Sequence, residues 1–159
     1  MLKDDHKRVR ALFRDFKKAG DNAEATKARL VDKIIEELTV HTYLENEGMY
    51  DDVRKLVPEL EEDILESLEE HHVADLLCME LAMMSPENSH FDAKVTVLIE
   101  SVEHHIEEEE NEWFPKVREA LGRKELQEIG ARMEQLREKA PHRPTSPRSL
   151  KKAVKAMVS

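Results

Sequence analysis

Glycine and aromatic side chains are scarce in this chain: four glycines, and Phe, Trp and Tyr together at 4% of 159 residues. A β-sandwich or barrel draws on both for its turns and strand faces, so an all-β fold is a poor fit. The single cysteine, Cys78, excludes an intrachain disulfide and fits a reducing compartment. No apolar run approaches the roughly 20 residues that cross a bilayer. The charged start Met1-Leu2-Lys3-Asp4-Asp5 lacks the form of a secretory signal, so a cytoplasmic protein is expected. Positive charge is in deficit, with 25 Lys and Arg against 35 Asp and Glu and a formal charge of −10. Phosphate surfaces repel such a chain, so neither nucleic acid nor an anionic membrane is an expected partner.

What the chain has in abundance is charge, 38% of residues, laid over apolar stripes of helical period. Val9, Leu12, Phe13 and Phe16 predict a first helix ending near Gly20. Leu30, Ile34 and Leu38 predict a second from about Ala23 through the late forties, loosened at Gly48 and interrupted at Pro58. Leu60, Ile64, Leu68, Leu77 and Leu81 predict a third that stops at Ser85-Pro86. Ser89, with Asp92 three residues on, looks like the cap of a fourth, which carries Val95, Leu98 and Val102 toward Pro115 and stops at Gly122. A fifth stripe, Leu126, Ile129, Met133 and Leu136, predicts one more packed helix. The expected fold is all-α: an up-down-up-down four-helix bundle over 1–121, an additional helix over 122–140, and a Pro-containing linker and basic tail over 141–159. Lys151, Lys152 and Lys155 in that tail are a candidate contact for a protein partner. Cys78, Met79, Met83 and Met84 read as core filler.

The chemistry-bearing residues recur in two matched sets. His41-x-x-x-Glu45 aligns with His105-x-x-x-Glu109, and Met49-Tyr50 with Trp113-Phe114. Histidine and glutamate four apart share one helix face and reach a common point. The aromatic pair falls out of step if the second motif is started from His104, so His105/Glu109 is the inward pair and His104 a solvated neighbour. Two further histidines complete the pattern, each behind an acid: Asp5-His6 and Glu70-His71. His6 precedes His41 by 35 residues and His71 precedes His105 by 34. A lone histidine on an apolar face is usually a hydrogen-bonded core residue. Two copies of a helix bearing one histidine followed by a helix bearing His-x-x-x-Glu are hard to ascribe to chance.

Four imidazoles and two carboxylates, His6, His41, Glu45, His71, His105 and Glu109, therefore converge inside the bundle. So many nitrogens disfavour calcium and magnesium and suit Zn, Fe, Mn or Cu. Six donors exceed one tetrahedral zinc, and two glutamates able to bridge point to a pair of metals with positions left open for something small.

Through Asp5-His6, His41-x-x-x-Glu45-Asn46-Glu47, Glu69-Glu70-His71-His72, and His105 to Trp113-Phe114-Pro115, the chain resembles the hemerythrin-like family bearing the HHE cation-binding domain. The resemblance covers about residues 2–121. It implies a non-haem di-iron centre, bridged by carboxylates and an oxo or hydroxo group, that binds dioxygen or reacts with peroxide or nitric oxide. Oxygen-carrying members place a His-x-x-x-His pair on the third helix. Here the position four after His71 is Asp75 and the position four after His72 is Leu76, so a fifth imidazole is missing. Asp75, His72 or Tyr50 are the candidates to replace it, Tyr50 also as a residue behind the ligands. The open position favours redox turnover of peroxide or nitric oxide over simple carriage. Two other functions are carried beside it: an iron sensor or interaction module in which the metal is structural, and a ferroxidase or iron store. The last is disfavoured because such bundles use Glu-x-x-His.

Overall fold

The apolar stripes do fold as helices, and the computed structural model describes them over residues 1–20 and 23–144. Helix α1 (Leu2–Lys18) buries Val9, Phe13 and Phe16 at three- and four-residue spacing, with Asp4 and Asp5 in its first turn and Lys17 and Lys18 in its last. Those charges oppose the helix dipole favourably at both ends. Helix α2 (Glu24–Leu44) continues without a break through a π-helical turn (Glu45–Met49) into α3 (Tyr50–Leu56). The second rod thus runs past Gly48, which lies inside the π-helical turn and does not end the helix. Pro58 opens a short 3-10 turn (Pro58–Leu60) before α4 (Glu61–Ala82).

Helix α5 (Phe91–Glu108) repeats the construction of the second rod, passing through a π-helical turn (Glu109–Trp113) into α6 (Phe114–Ala120). Its start is held by Asn88 Oδ1, which accepts from the His90 amide at 2.9 Å, in place of the Ser89 cap expected from the sequence. Pro115 lies in the first turn of α6, where its missing N–H costs little. Helix α7 (Arg123–Arg137) is the additional C-terminal helix. No strand occurs among the described residues, and no helix there is long and apolar enough to cross a membrane.

Two apolar cores lie at the two ends of this bundle. One joins Phe13, Ile34, Ile35, Phe91, Val95 and Leu98; the other joins Tyr50, Val53, Leu60, Ile64, Trp113 and Met133. Burial of each such side chain contributes about 1.5–3 kcal/mol. On every rod the residues between the cores are the motif residues, so the fold sets a polar layer between two dry ones. Cys78 and Leu81 belong to the first core and Met84 packs on its edge, but Met83 is 77% exposed and fills no gap.

The close approach of α7 to the second rod depends on a missing side chain. A Cβ on Gly48 would stand 2.8 Å from Met133 Cγ and 3.0 Å from Leu136 Cδ1. Arg132 completes the seam by donating to the Gly48 carbonyl at 2.8 Å. Beyond α7, His142 reaches Glu36 at 2.9 Å and Arg143 reaches Asp32 at 3.7 Å, so residues 141–144 run along α2. Of the linker and basic tail expected over 141–159, residues 145–159 lie outside the described residues.

Candidate metal centre

The helices bring His6, His41, Glu45, His71, His105 and Glu109 into one layer, every one of them at most 6% exposed. Their donor atoms form two groups, His6/His41/Glu45/Glu109 and Glu45/His71/His105/Glu109, and within each group the atoms lie inside 4.8 Å of one another. Both glutamates belong to both groups. His41 Nε2 is in close contact with Glu45 Oε1, and His105 Nε2 with Glu109 Oε1. These are the two i,i+4 pairs anticipated from the helical repeat. Each glutamate opens a π-helical turn, a distortion often found at functional sites, where the wider turn re-aims the side chains that follow.

The outer nitrogens of the rings face a second pair of matched sets, three of them within hydrogen-bond distance. His6 Nδ1 lies 3.0 Å from Glu110 Oε1, and His71 Nδ1 lies 2.7 Å from Asn46 Oδ1. Glu110 and Asn46 each follow a shared glutamate. His41 Nδ1 lies 3.2 Å from Asp5 Oδ2, and His105 Nδ1 stands 3.7 Å from Glu70 Oε1. Asp5 and Glu70 each precede a lone histidine. At His6, His41 and His71 an acceptor at Nδ1 holds a ring proton there, so that in the metal-binding form Nε2 is the nitrogen free to ligate; His105 Nδ1 has no partner within hydrogen-bond distance.

Inside the layer the Nε2 atoms face one another. His6 Nε2 and His41 Nε2 are 3.2 Å apart, and His71 Nε2 and His105 Nε2 are 3.1 Å apart. Glu45 Oε1 and Glu109 Oε2 are buried with no hydrogen-bond donor aligned on them. Paired lone pairs beside orphaned carboxylate oxygens repel unless a cation lies between them, so the donor set fits metal.

Protonation tells the same story. Burial alone would lower His41, but the Glu45 charge and the Asp5 contact push it up to about 10. His105, likewise disfavoured by burial, is pushed up to about 11 by Glu109 and Glu70. Burial and the neighbouring His41 charge lower His6. Burial would raise Glu45, yet His41 holds it at about 2, while burial and the Glu45 charge together raise Glu109. Without metal, protons on His41 and His105 stand in for it.

Tyr50 enters one half only. Its hydroxyl lies 2.9 Å from Glu45 Oε2, 3.0 Å from Glu109 Oε1 and 3.2 Å from His71 Nε2. Burial and the charges of Glu109 and Glu45 raise its pKa well above the ordinary phenol value, so it stays an O–H donor to the carboxylates. Of the three candidates for the missing imidazole, Tyr50 is the one whose hydroxyl meets both shared carboxylates. His72 and Asp75 take no place in either group of donors: one step around α4 from His71 turns His72 off the inward face, and Asp75 acts electrostatically on Cys78. His104 is 67% exposed at its side chain and pairs with Glu108 at 3.0 Å on the surface.

On the side of the layer away from Tyr50 lies a cavity of about 20 Å³. The histidine rings with Thr42, Glu70 and Ser101 form its polar wall, and Val9, Leu38, Ala74, Val102 and Ile106 the apolar remainder. The roles of Glu110, Asn46 and Arg137, which reaches Asp5, were not evident from the sequence. For Asn46 and Glu110 the signal was present, since each follows its glutamate at the same place in the repeat.

Comparison with known proteins agrees with this geometry. The family described as Hemerythrin HHE cation binding domain matches residues 1–117. A crystal structure of a hemerythrin HHE cation-binding domain-containing protein from Mycobacterium kansasii superposes with a TM-score of 0.67 at 22% identity, covering 98% of this chain and 95% of that one. At that identity the likeness is one of fold. No curated protein shows a significant match.

Proposed function

This chain belongs to the hemerythrin HHE cation-binding family, and from that premise we propose that it is a non-haem di-iron protein whose centre binds dioxygen or reacts with peroxide or nitric oxide. In this reading His6 and His41 would hold one ion and His71 and His105 the other, with Glu45 and Glu109 within reach of both. The observation that carries it is the sharing: two buried carboxylates, each within reach of both histidine pairs, which a single structural ion does not require.

Iron, when bound there, would supply a redox couple. The chain's own groups do the rest. Asp5, Asn46 and Glu110 fix the ring tautomers and aim the Nε2 atoms. The cavity of about 20 Å³ sets the size of what arrives. One water needs about 10–15 Å³, so the space suits a very small molecule. Tyr50 holds a proton 2.9–3.0 Å from both shared carboxylates, at the half where the fifth imidazole is missing. From there it acts on the shared carboxylates and not on the cavity across the layer.

The test is metal analysis with optical spectroscopy on protein expressed in iron-replete medium. Two irons per chain and a visible spectrum that changes on adding peroxide or nitric oxide are expected. Bound iron with a spectrum indifferent to both would favour a structural metal in a sensor or interaction module. Iron-free protein overturns the reading.

A further inference from the structure

Helix α7 lies beyond residues 1–117, the part matched by the family, yet it touches the metal layer. Arg137 Nη2 donates to Asp5 Oδ1 at 3.0 Å and Oδ2 at 2.9 Å, and Asp5 Oδ2 in turn accepts from His41 Nδ1 at 3.2 Å. Arg8 contacts the same carboxylate from within α1. The matching position in the other half is built differently. Glu70 stands 3.7 Å from His105 Nδ1, its Oε1 is buried with no donor aligned on it, and no Lys or Arg pairs with it among the described residues.

We infer that Arg137 is a positioning residue that, through Asp5, fixes the His41 ring, so that the His6/His41 half of the centre holds its ion more tightly than the His71/His105 half. This rests on the metal reading above. One guanidinium nitrogen shared between both oxygens anchors the carboxylate with charge-assisted hydrogen bonds. The carboxylate then fixes the imidazole whose other nitrogen is a donor, and loss of such outer partners commonly weakens metal sites 10- to 100-fold. Helix α7 is thereby a latch on one half of the centre. Its hold is strengthened by Arg132 on the Gly48 carbonyl, within the π-helical turn that begins at Glu45.

The experiment loads the full chain with Fe(II) under anaerobic conditions and follows its removal by a ferrous chelator in stopped flow. The wild type should release iron in two phases. Arg137→Ala should speed the slow phase on the order of tenfold and leave the fast one. Arg137→Lys, which keeps the charge, should recover part of the difference, and Glu70→Ala should act on the fast phase alone. Thermal melts of the metal-free variants check that each is folded. The inference is overturned if Arg137→Ala speeds both phases equally, if neither phase moves, or if Arg137→Lys behaves as Arg137→Ala. A wild type that takes up no iron instead overturns the metal reading on which this one stands.

Discussion

Tyr50 and Phe114 stand at matching places just beyond the two π-helical turns, and each lies on a histidine of the opposite half. Tyr50 stacks on His71 with ring centroids 5.2 Å apart, and Phe114 on His6 at 6.0 Å. The backbone repeats itself while the chemistry does not: one half meets a hydroxyl, the other a bare ring. The two ions of a bound pair would thus sit in unequal surroundings, as they must if one is to react and the other to support it.

Tyr50→Phe removes that inequality with almost no change in volume. In metal-free protein Glu45 and Glu109 lose a common donor, and hydrogen bonds to charged groups contribute about 1.5–3 kcal/mol. Urea unfolding should show a loss in that range. Iron-loaded Tyr50→Phe should keep both ions and respond more weakly to peroxide. An unaltered response would remove Tyr50 from the chemistry.

Metal must displace protons from this site. Without metal, His41 and His105 titrate at about 10 and about 11, so both are protonated near neutrality. Filling both halves should release about two protons from these rings, and affinity should fall as pH is lowered. Calorimetry in buffers of different ionisation enthalpy counts them. A binding heat that is the same in every buffer contradicts the assignment.

Folding without metal depends on the same groups. The two histidines are raised above 6.5, so their contribution is complete below that pH and is lost as pH climbs through about 10 and 11. Asp5, which burial would raise, is held at about 2 by His41 and Arg137, so its contribution is present above 3.8 and disappears as pH falls through about 2. For Asp5 that amounts to about 2 kcal/mol. Asp5→Asn should lack this stabilisation at neutral pH and show a flatter acid limb in metal-free denaturation. An acid limb as steep as that of the wild type would deny Asp5 this role.

How far the site can be read without the structure follows from what helical geometry encodes. The i,i+4 spacing of His41/Glu45 and His105/Glu109, and the repeat intervals of His6 and His71, are local facts that survive folding unchanged. The pairs His6–Glu110 and His71–Asn46 join residues 104 and 25 positions apart, and no period links them. Glu110 ends a run of four glutamates, 107–110, whose composition by itself suits a solvated helix face. The π-helical turns have no compositional mark, which is why Gly48 read as a weak point. Its lack of a side chain serves α7, a relationship visible only once Met133 is beside it.

Gly48→Ala tests that seam. The new methyl meets Met133 Cγ at 2.8 Å and Leu136 Cδ1 at 3.0 Å, so α7 must shift or its side chains repack. Overpacking of this kind costs about 1–3 kcal/mol, offset in part by the better helix propensity of alanine. Thermal melts should show net destabilisation, relieved when Met133→Ala is added. Two independent, additive losses would mean that the residues do not press on each other.

His104 and His105 are adjacent, and each has a glutamate four residues on, so their substitution separates the inward face from the outward one. His105 is buried against Glu109, while His104 is 67% exposed and meets Glu108 at the surface. His105→Ala leaves the Glu109 carboxylate buried without its close partner, a defect worth about 3–5 kcal/mol in comparable pairs. It should also abolish iron at the His71/His105 half. His104→Ala should stay within about 0.5 kcal/mol of wild type and bind the full complement. Iron content and unfolding free energy, measured on both variants, decide the matter: loss of iron in His104→Ala with retention in His105→Ala would mean that the other face of α5 carries the ligands.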